Sequence, residues 1–294
     1  MKQYLHVTRL LTFAFVFFFS RGMWQFIFAY TITLALKCGF VLVALRSVVG
    51  SITPSWPLFL RQVKFGLPLH MSTVLRRVNS SLSIYTLRFS HGDAAVGYYA
   101  IPQNYLASAK ILPVTLASLL LPRVASSENG VLKDQTARLL RAMLLVFTAG
   151  VAAFYFIIPA LFDLLYGAEY AEAIPAARII IFAFPFYAFS QVASNYLIGG
   201  GRTRFFLRLG IWSFVGGLTA LVLMVPPWGI RGAALSVVAM ELVSFLYCTG
   251  TMVRHGGFTL REMFIPVPED ASFLAEKIRM TLKGTGQRKP PEAG

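Results

Sequence analysis

The chain has 294 residues, of which 56% are hydrophobic and 13% charged, with a mean hydropathy of +0.65. Soluble domains carry about 25% charged residues, so the composition excludes an ordinary water-soluble domain. The balance of 27 Lys and Arg against 12 Asp and Glu gives +15, which in so apolar a chain is the basic bias of cytoplasmic loops and not a nucleic-acid footprint.

In lipid, backbone N–H and C=O groups can be satisfied only within the segment, so apolar runs of about 20 residues read as spanning helices. In chain order these fall at 4–20, 23–45, 67–89, 95–121, 142–162, 174–199, 206–226 and 231–253. The fold class is therefore all-α, a polytopic transmembrane bundle of about eight spans. Lys2 and Arg9 ahead of the apolar run Leu10 to Phe19 mimic a signal peptide. No small-x-small cleavage site follows and a second apolar run begins at once, so a short first span is expected. Residues 51–66 carry Trp56, Phe59, Leu60 and Val63 alternating with Arg61, Gln62 and Lys64, the pattern of an amphipathic helix lying on the membrane. The clearest spans come later: 142–162 carries no charge, and 232–253 carries only Glu241. Residues 256–294 read as a polar tail, partly disordered from Pro266 onward. Cys38 and Cys248 lie in apolar runs and read as small core residues.

With the N-terminus placed inside, 19 Lys and Arg fall on inner segments and only Arg21, Arg88 and Arg231 on outer ones. Both termini are thus expected in the cytoplasm. Five basic residues remain within spans: Lys37, Arg76, Arg77, Lys110 and Arg178. A charge at the bilayer centre costs about 2.5–3.5 kcal/mol on insertion scales, so each needs a cavity, a partner or a route to the interface. At 100° per residue Ser72, Arg76, Asn79, Ser80 and Ser83 form one stripe on span 67–89. Gln103 and Lys110 share a face of the next span, and Gln191 and Asn195 form an i, i+4 pair further on. A hydrated cationic cleft between helices would use Arg76, Lys110, Asn79, Gln103, Gln191 and Asn195, while Arg77 points elsewhere on its helix. Against this stands a structural use, in which Glu241 pairs with one base and Lys37 and Arg178 snorkel.

No GxxxxGK[ST] loop is present, and no outer loop offers a nucleophile with a base or paired carboxylates. The four histidines are scattered. No catalytic residue, metal site or cofactor is expected.

Several short segments carry a family resemblance. Phe65-Gly66-Leu67-Pro68, Ala94-Ala95-Val96-Gly97-Tyr98-Tyr99 and Leu121-Pro122-Arg123-Val124-Ala125 are followed by Leu165-Tyr166-Gly167-Ala168-Glu169-Tyr170 and Ala177-Arg178-Ile179. Gly201-Arg202-Thr203 and Trp228-Gly229-Ile230-Arg231-Gly232-Ala233-Ala234 complete the series. Together, over about residues 5–255, they resemble the second lobe of Wzx-type polysaccharide flippases in the MATE-like MOP exporter superfamily.

The resemblance implies two six-helix lobes around a cavity open to one side at a time. It also implies transport of undecaprenyl-diphosphate-linked oligosaccharide across the bacterial inner membrane for lipopolysaccharide or related polysaccharide synthesis. On that pattern 1–50 would be the last two helices of the first lobe, 51–66 the connector, 67–255 the six-helix second lobe and 256–294 the tail. Arg76 and Lys110, with Arg77 as a further candidate, would neutralise the diphosphate. Asn79, Gln103, Gln191 and Asn195 would hydrogen-bond sugar hydroxyls. Four N-terminal helices of the family pattern have no counterpart, so the chain is expected to need a missing lobe or a second copy of itself. A cation-coupled drug exporter of the same superfamily and a non-transporting assembly subunit are the alternatives. The expected partners are lipid-linked oligosaccharide and membrane lipids, with no nucleic acid.

Overall fold

The computed structural model describes residues 55–118, 131–200 and 203–265, with scattered helical positions between 28 and 43. The expected span 4–20, most of 23–45 with Lys37, the segments around Arg123 and Arg202, and the tail from 266 lie outside the described residues. What is described is 94% helical, with no strand among it. The all-helical membrane bundle read from composition is the fold observed.

Two units are distinguished, Met1–Leu60 and Arg61–Gly294. In the first, the described side chains are exposed and Trp56 stacks on Phe59 with ring centroids 5.3 Å apart. The second contains most of α1 (Trp56–Ala109) and all of α2 (Ile111–Ser118), α3 (Val131–Tyr166), α4 (Ala173–Ile180), α5 (Ala183–Gly199), α6 (Thr203–Gly256) and α7 (Leu260–Phe264). Residues 56–66 of the expected connector are helical.

At 1.5 Å per residue, each 54-residue helix would be about 80 Å long if straight, against a hydrocarbon core of about 30 Å. Neither is straight. Gly92 (φ 83°, ψ 179°) interrupts α1 and Gly229 (φ 52°, ψ −126°) interrupts α6. Both lie at positive φ, where a Cβ is strained, so glycine permits each reversal. Side-chain pairs then run antiparallel about each turn: Gln103 to Ser80 about Gly92, and Ser213 to Ser244 about Gly229. A Cβ on Gly229 would lie 3.0 Å from the His91 ring, so the two turns sit side by side.

Prolines set the smaller breaks. Proline lacks an N–H and its ring crowds the carbonyl four residues back. Pro113 thereby accounts for the end of α1 at Ala109, and Pro185 for the break at Ile181–Phe182 between α4 and α5. The span expected at 174–199 is therefore two helices in line. Pro159, inside α3, likewise frees the Tyr155 carbonyl, and the Arg178 Nε–H donates to it at 3.3 Å. Arg178 also lies over the Tyr155 ring, 4.9 Å from its centroid.

Among the described residues, three stretches are long and apolar enough to cross a membrane by length and composition: Lys133–Tyr166, Ala173–Gly199 and Arg204–Gly256. With the fold at Gly229, the last can pass twice. α1 is not among them, because Arg76, Arg77 and its serines dilute its apolar character. Helix α5 packs on α6, α3 and α2, and α4 packs on α6 and α3. One core joins Leu140, Phe189, Leu197 and Met252, and another joins Leu87, Tyr99, Ile180 and Val225.

Residues after 255 depart from the expected tail at their start. Gly257 (φ 70°) turns the chain back, and the Phe258 N–H donates to the Met252 carbonyl. Thr259 and Glu262 form a reciprocal capping box that starts α7. Phe258 and Met263 are buried, and Phe264 stacks on Phe189 with the ring planes 8° apart. Lys133 pairs with Glu262 at 3.0 Å, and Arg141 donates to the Glu262 carbonyl. A capping box with three apolar side chains is enough to hold this segment against α3 and α5.

Candidate functional site

Three of the intramembrane charges, Arg76, Lys110 and Glu241, converge. Glu241, midway along the second half of α6, is fully buried. Its Oε1 accepts from Arg76 of α1 at 2.7 Å and from Lys110, at the α1–α2 break, at 2.8 Å. Arg76 also donates to the Ser244 hydroxyl at 3.2 Å, one turn along α6 from Glu241. Ser244 in turn meets Ser213 from the other half of the α6 hairpin at 2.7 Å. From α5, the Tyr187 ring lies under both cations, with its centroid 4.4 Å from Lys110 Nζ and 5.9 Å from Arg76 Cζ. Gln191 donates to the Tyr187 hydroxyl at 2.6 Å. Three helices and one helix break therefore meet at a single carboxylate.

The electrostatics follow from this count. A lone arginine, lysine or glutamate in hydrocarbon is costly, whereas paired and hydrogen-bonded charges in low dielectric attract strongly. Two cations on one carboxylate leave a net charge of +1. The charge is not sealed in, because the Arg76 and Lys110 side chains keep 23% and 21% of their exposure while Glu241 has none. The acid is at the back of the site and the cations form its front. Glu241 Oε2 has no hydrogen-bond partner among the described residues.

The structure sorts the candidates of the sequence. Arg76 and Lys110 come together, and Gln191 joins them through Tyr187. Asn79 does not line an open cleft. It is buried, its amide donates to Met240 Sδ at 3.3 Å, and a Cβ on Gly217 would lie 2.7 Å from its Nδ2. Ser72 is buried in the same way against Gly210, so most of the polar stripe forms a helix–helix seam. Small residues let two backbones approach closely in a membrane, and this is what turned the stripe inward. Arg76, on the same stripe, finds its partner within this chain in Glu241. Gln103 donates to Ser80 inside the α1 hairpin. Asn195 is half-buried with no side-chain partner among the described residues, and Arg77 is exposed on another side of α1.

Tyr187 and Ser244 escaped the sequence reading. The i, i+4 spacing of Tyr187 and Gln191 could have found the tyrosine. No signal in the sequence ties Ser244 to a residue 168 positions away. Among the described residues no three His, Cys, Asp or Glu side chains gather as metal ligands.

No family model and no curated protein matches the chain. Solved structures do. A multidrug resistance MATE family transporter of the MOP superfamily, in an outward-facing conformation, superposes with a TM-score of 0.59 at 18% identity, over 71% of this chain and 49% of that one. A MOP superfamily transporter from Pyrococcus furiosus, described for the reversed polarity of its binding pocket, gives 0.58 at 18% identity over 71% and 48%. The lipid II flippase MurJ, inward closed, gives 0.58 at 12% identity over 97% of this chain and 60% of that one. The chain spans about half to three-fifths of the length of these proteins. At these identities the likeness is one of architecture: this multi-pass membrane chain has the helical fold of MOP-superfamily transporters.

Proposed function

We propose that this chain is one working lobe of a flippase that carries undecaprenyl-diphosphate-linked oligosaccharide across the bacterial inner membrane. The observation that carries the proposal is the partly exposed cation pair Arg76–Lys110, net positive even with Glu241 in place. A diphosphate is the anionic part of such a lipid, and a low-dielectric cationic face is where it would be held during transit. The fold shared with a lipid II flippase supports the same reading. On this reading Gln191, and Asn195 one turn beyond it, would meet sugar hydroxyls.

Transport in this architecture needs a second wall around the cavity, supplied by a first lobe or by a second copy of the chain, with the lobes rocking to alternate access. Both termini face the cytoplasm, on the strength of the charge bias between loops. An impermeant thiol reagent on intact cells should then label a cysteine placed at Ala168 and spare one at Ser127; the reverse pattern would invert the orientation.

Cation-coupled drug export is the rival reading, favoured by the likeness to a multidrug transporter. It calls for an acid free to take a cation, whereas Glu241 already holds two basic side chains. The experiment is complementation of a flippase-deficient strain by the chain co-expressed with a first-lobe fragment. Lys110→Gln and Arg76→Gln should each lower surface glycan while membrane insertion is kept. Normal glycan with both variants would make the cations structural and defeat the proposal.

A further inference from the structure

We propose that Glu241 is an internal competitor anion, a specificity-determining residue that occupies the Arg76–Lys110 pair in the unliganded molecule and sets how tightly the pair holds a diphosphate. The inference rests on the reading that this pair meets an anionic ligand.

Three features of the cluster carry it. Both cations end on the same oxygen, Glu241 Oε1, so one carboxylate cancels half of the positive charge available to a ligand. The acid has no exposure while each cation keeps about a fifth of its own, so an incoming anion meets the cations from the side opposite Glu241. The two cations are also tethered unequally. Arg76 has Ser244 as a second acceptor. Lys110 has Glu241 as its acceptor and the Tyr187 ring beside it. A lysine is a point charge on a flexible four-carbon stem. Lys110 is thus the group that can turn from carboxylate to ligand, while Arg76 stays docked on α6. Its place at the helix break before Pro113 gives it that freedom.

The groups facing the carboxylate are few: Arg76 from α1, Lys110 from the α1–α2 break, Tyr187 from α5, and Ser244 and Cys248 on its own helix. Among the described residues Glu241 is the only acid in this cluster, and so the built-in anion a ligand has to displace. A diphosphate carries more negative charge than a single carboxylate and can win this competition, but its affinity is lowered by the competitor. Removing the charge of Glu241 should therefore strengthen anion binding, the opposite of what a merely structural ion pair would do.

The test is calorimetric titration of the full-length chain in lipid nanodiscs with inorganic pyrophosphate. Glu241→Gln keeps the shape and a hydrogen-bond acceptor for Arg76, and should bind pyrophosphate about tenfold or more tightly than wild type. Adding Lys110→Met should abolish the gain. Affinity that is unchanged or weaker in folded Glu241→Gln protein overturns the proposal. Should that variant not be recovered folded, Lys110→Met alone decides: it should bind at least about tenfold more weakly than wild type, and wild-type affinity would overturn the claim. The transport reading is scored separately. No pyrophosphate binding by any variant removes the anion site itself, whereas binding without the Glu241 effect removes only the competition.

Discussion

Gly210 offers a sharp test of the seam that holds the cationic cluster together. A Cβ built there would lie 2.5 Å from Ser72 Oγ and 2.7 Å from Ser72 Cα, and the second of these is backbone that no rotamer change can move. Gly210→Ala must therefore separate α1 from the first half of α6. Overpacking of this kind costs about 1–3 kcal/mol, and replacing a helical glycine by alanine returns about 1 kcal/mol. With backbone as the clashing partner the cost lies at the upper end of that range, so the expected net loss is about 2 kcal/mol. Gly150, in the middle of α3, is the control, because a Cβ there meets nothing within 4 Å. Gly150→Ala should stabilise by up to about 1 kcal/mol. Thermal unfolding of the two variants in the same detergent, followed by fluorescence-detected size exclusion, should move Tm in opposite directions. Ser72 and Arg76 lie one turn apart on α1, so Gly210→Ala should also weaken the Arg76–Glu241 contact and lower transport. A Gly210→Ala protein as stable as wild type would refute the close-packed seam.

Two further outcomes follow from particular contacts. Arg178→Met should cost about 1–3 kcal/mol by stranding the Tyr155 carbonyl that Pro159 leaves open. Pro159→Ala in the same chain should recover most of this loss by restoring the helix bond, and detergent denaturation of the three variants checks it. Around α7, the Thr259 N–H, joined by Lys133, holds the Glu262 carboxyl below its ordinary value of 4.5. A lowered pKa gives stability that is complete above the unfolded value and is lost as pH falls through the folded one. Protection factors for hydrogen exchange in residues 257–265 should thus be high at pH 7 and fall in acid as the carboxylate takes up its proton. Glu262→Gln should be less protected at pH 7 and lose the pH dependence.

Much of the fold was legible in the sequence because lipid imposes a simple rule. Apolar runs must be helices, and the gaps between expected spans contain Gly92 and Gly229, whereas the breaks ahead of Pro113 and Pro185 fall inside the expected spans 95–121 and 174–199. The candidate site was legible only in its parts. Arg76, Lys110 and Glu241 stood out as charges in apolar company, but their meeting depends on how the α1 and α6 hairpins pack, over separations of 131 and 165 residues. Asn79 was misread for the same reason. A polar stripe looks alike whether it faces water or a glycine-lined helix, and Gly210 and Gly217 carry no pattern in the sequence that names Ser72 and Asn79 as neighbours. The start of the tail was misread because composition averaged over 256–294 hid a nine-residue segment with its own cap and three core side chains.

The central claim is that the lipid-linked diphosphate meets the Arg76–Lys110 face during transport. Site-specific photo-crosslinking tests it most directly. A photoreactive amino acid replaces Gln191, beside the cluster, or Arg77, on another side of α1, in cells making radiolabelled lipid-linked oligosaccharide. Labelled adduct is expected at position 191, reduced by Lys110→Gln, with little at position 77. Equal labelling at both positions, or label at 191 that ignores Lys110→Gln, would contradict it.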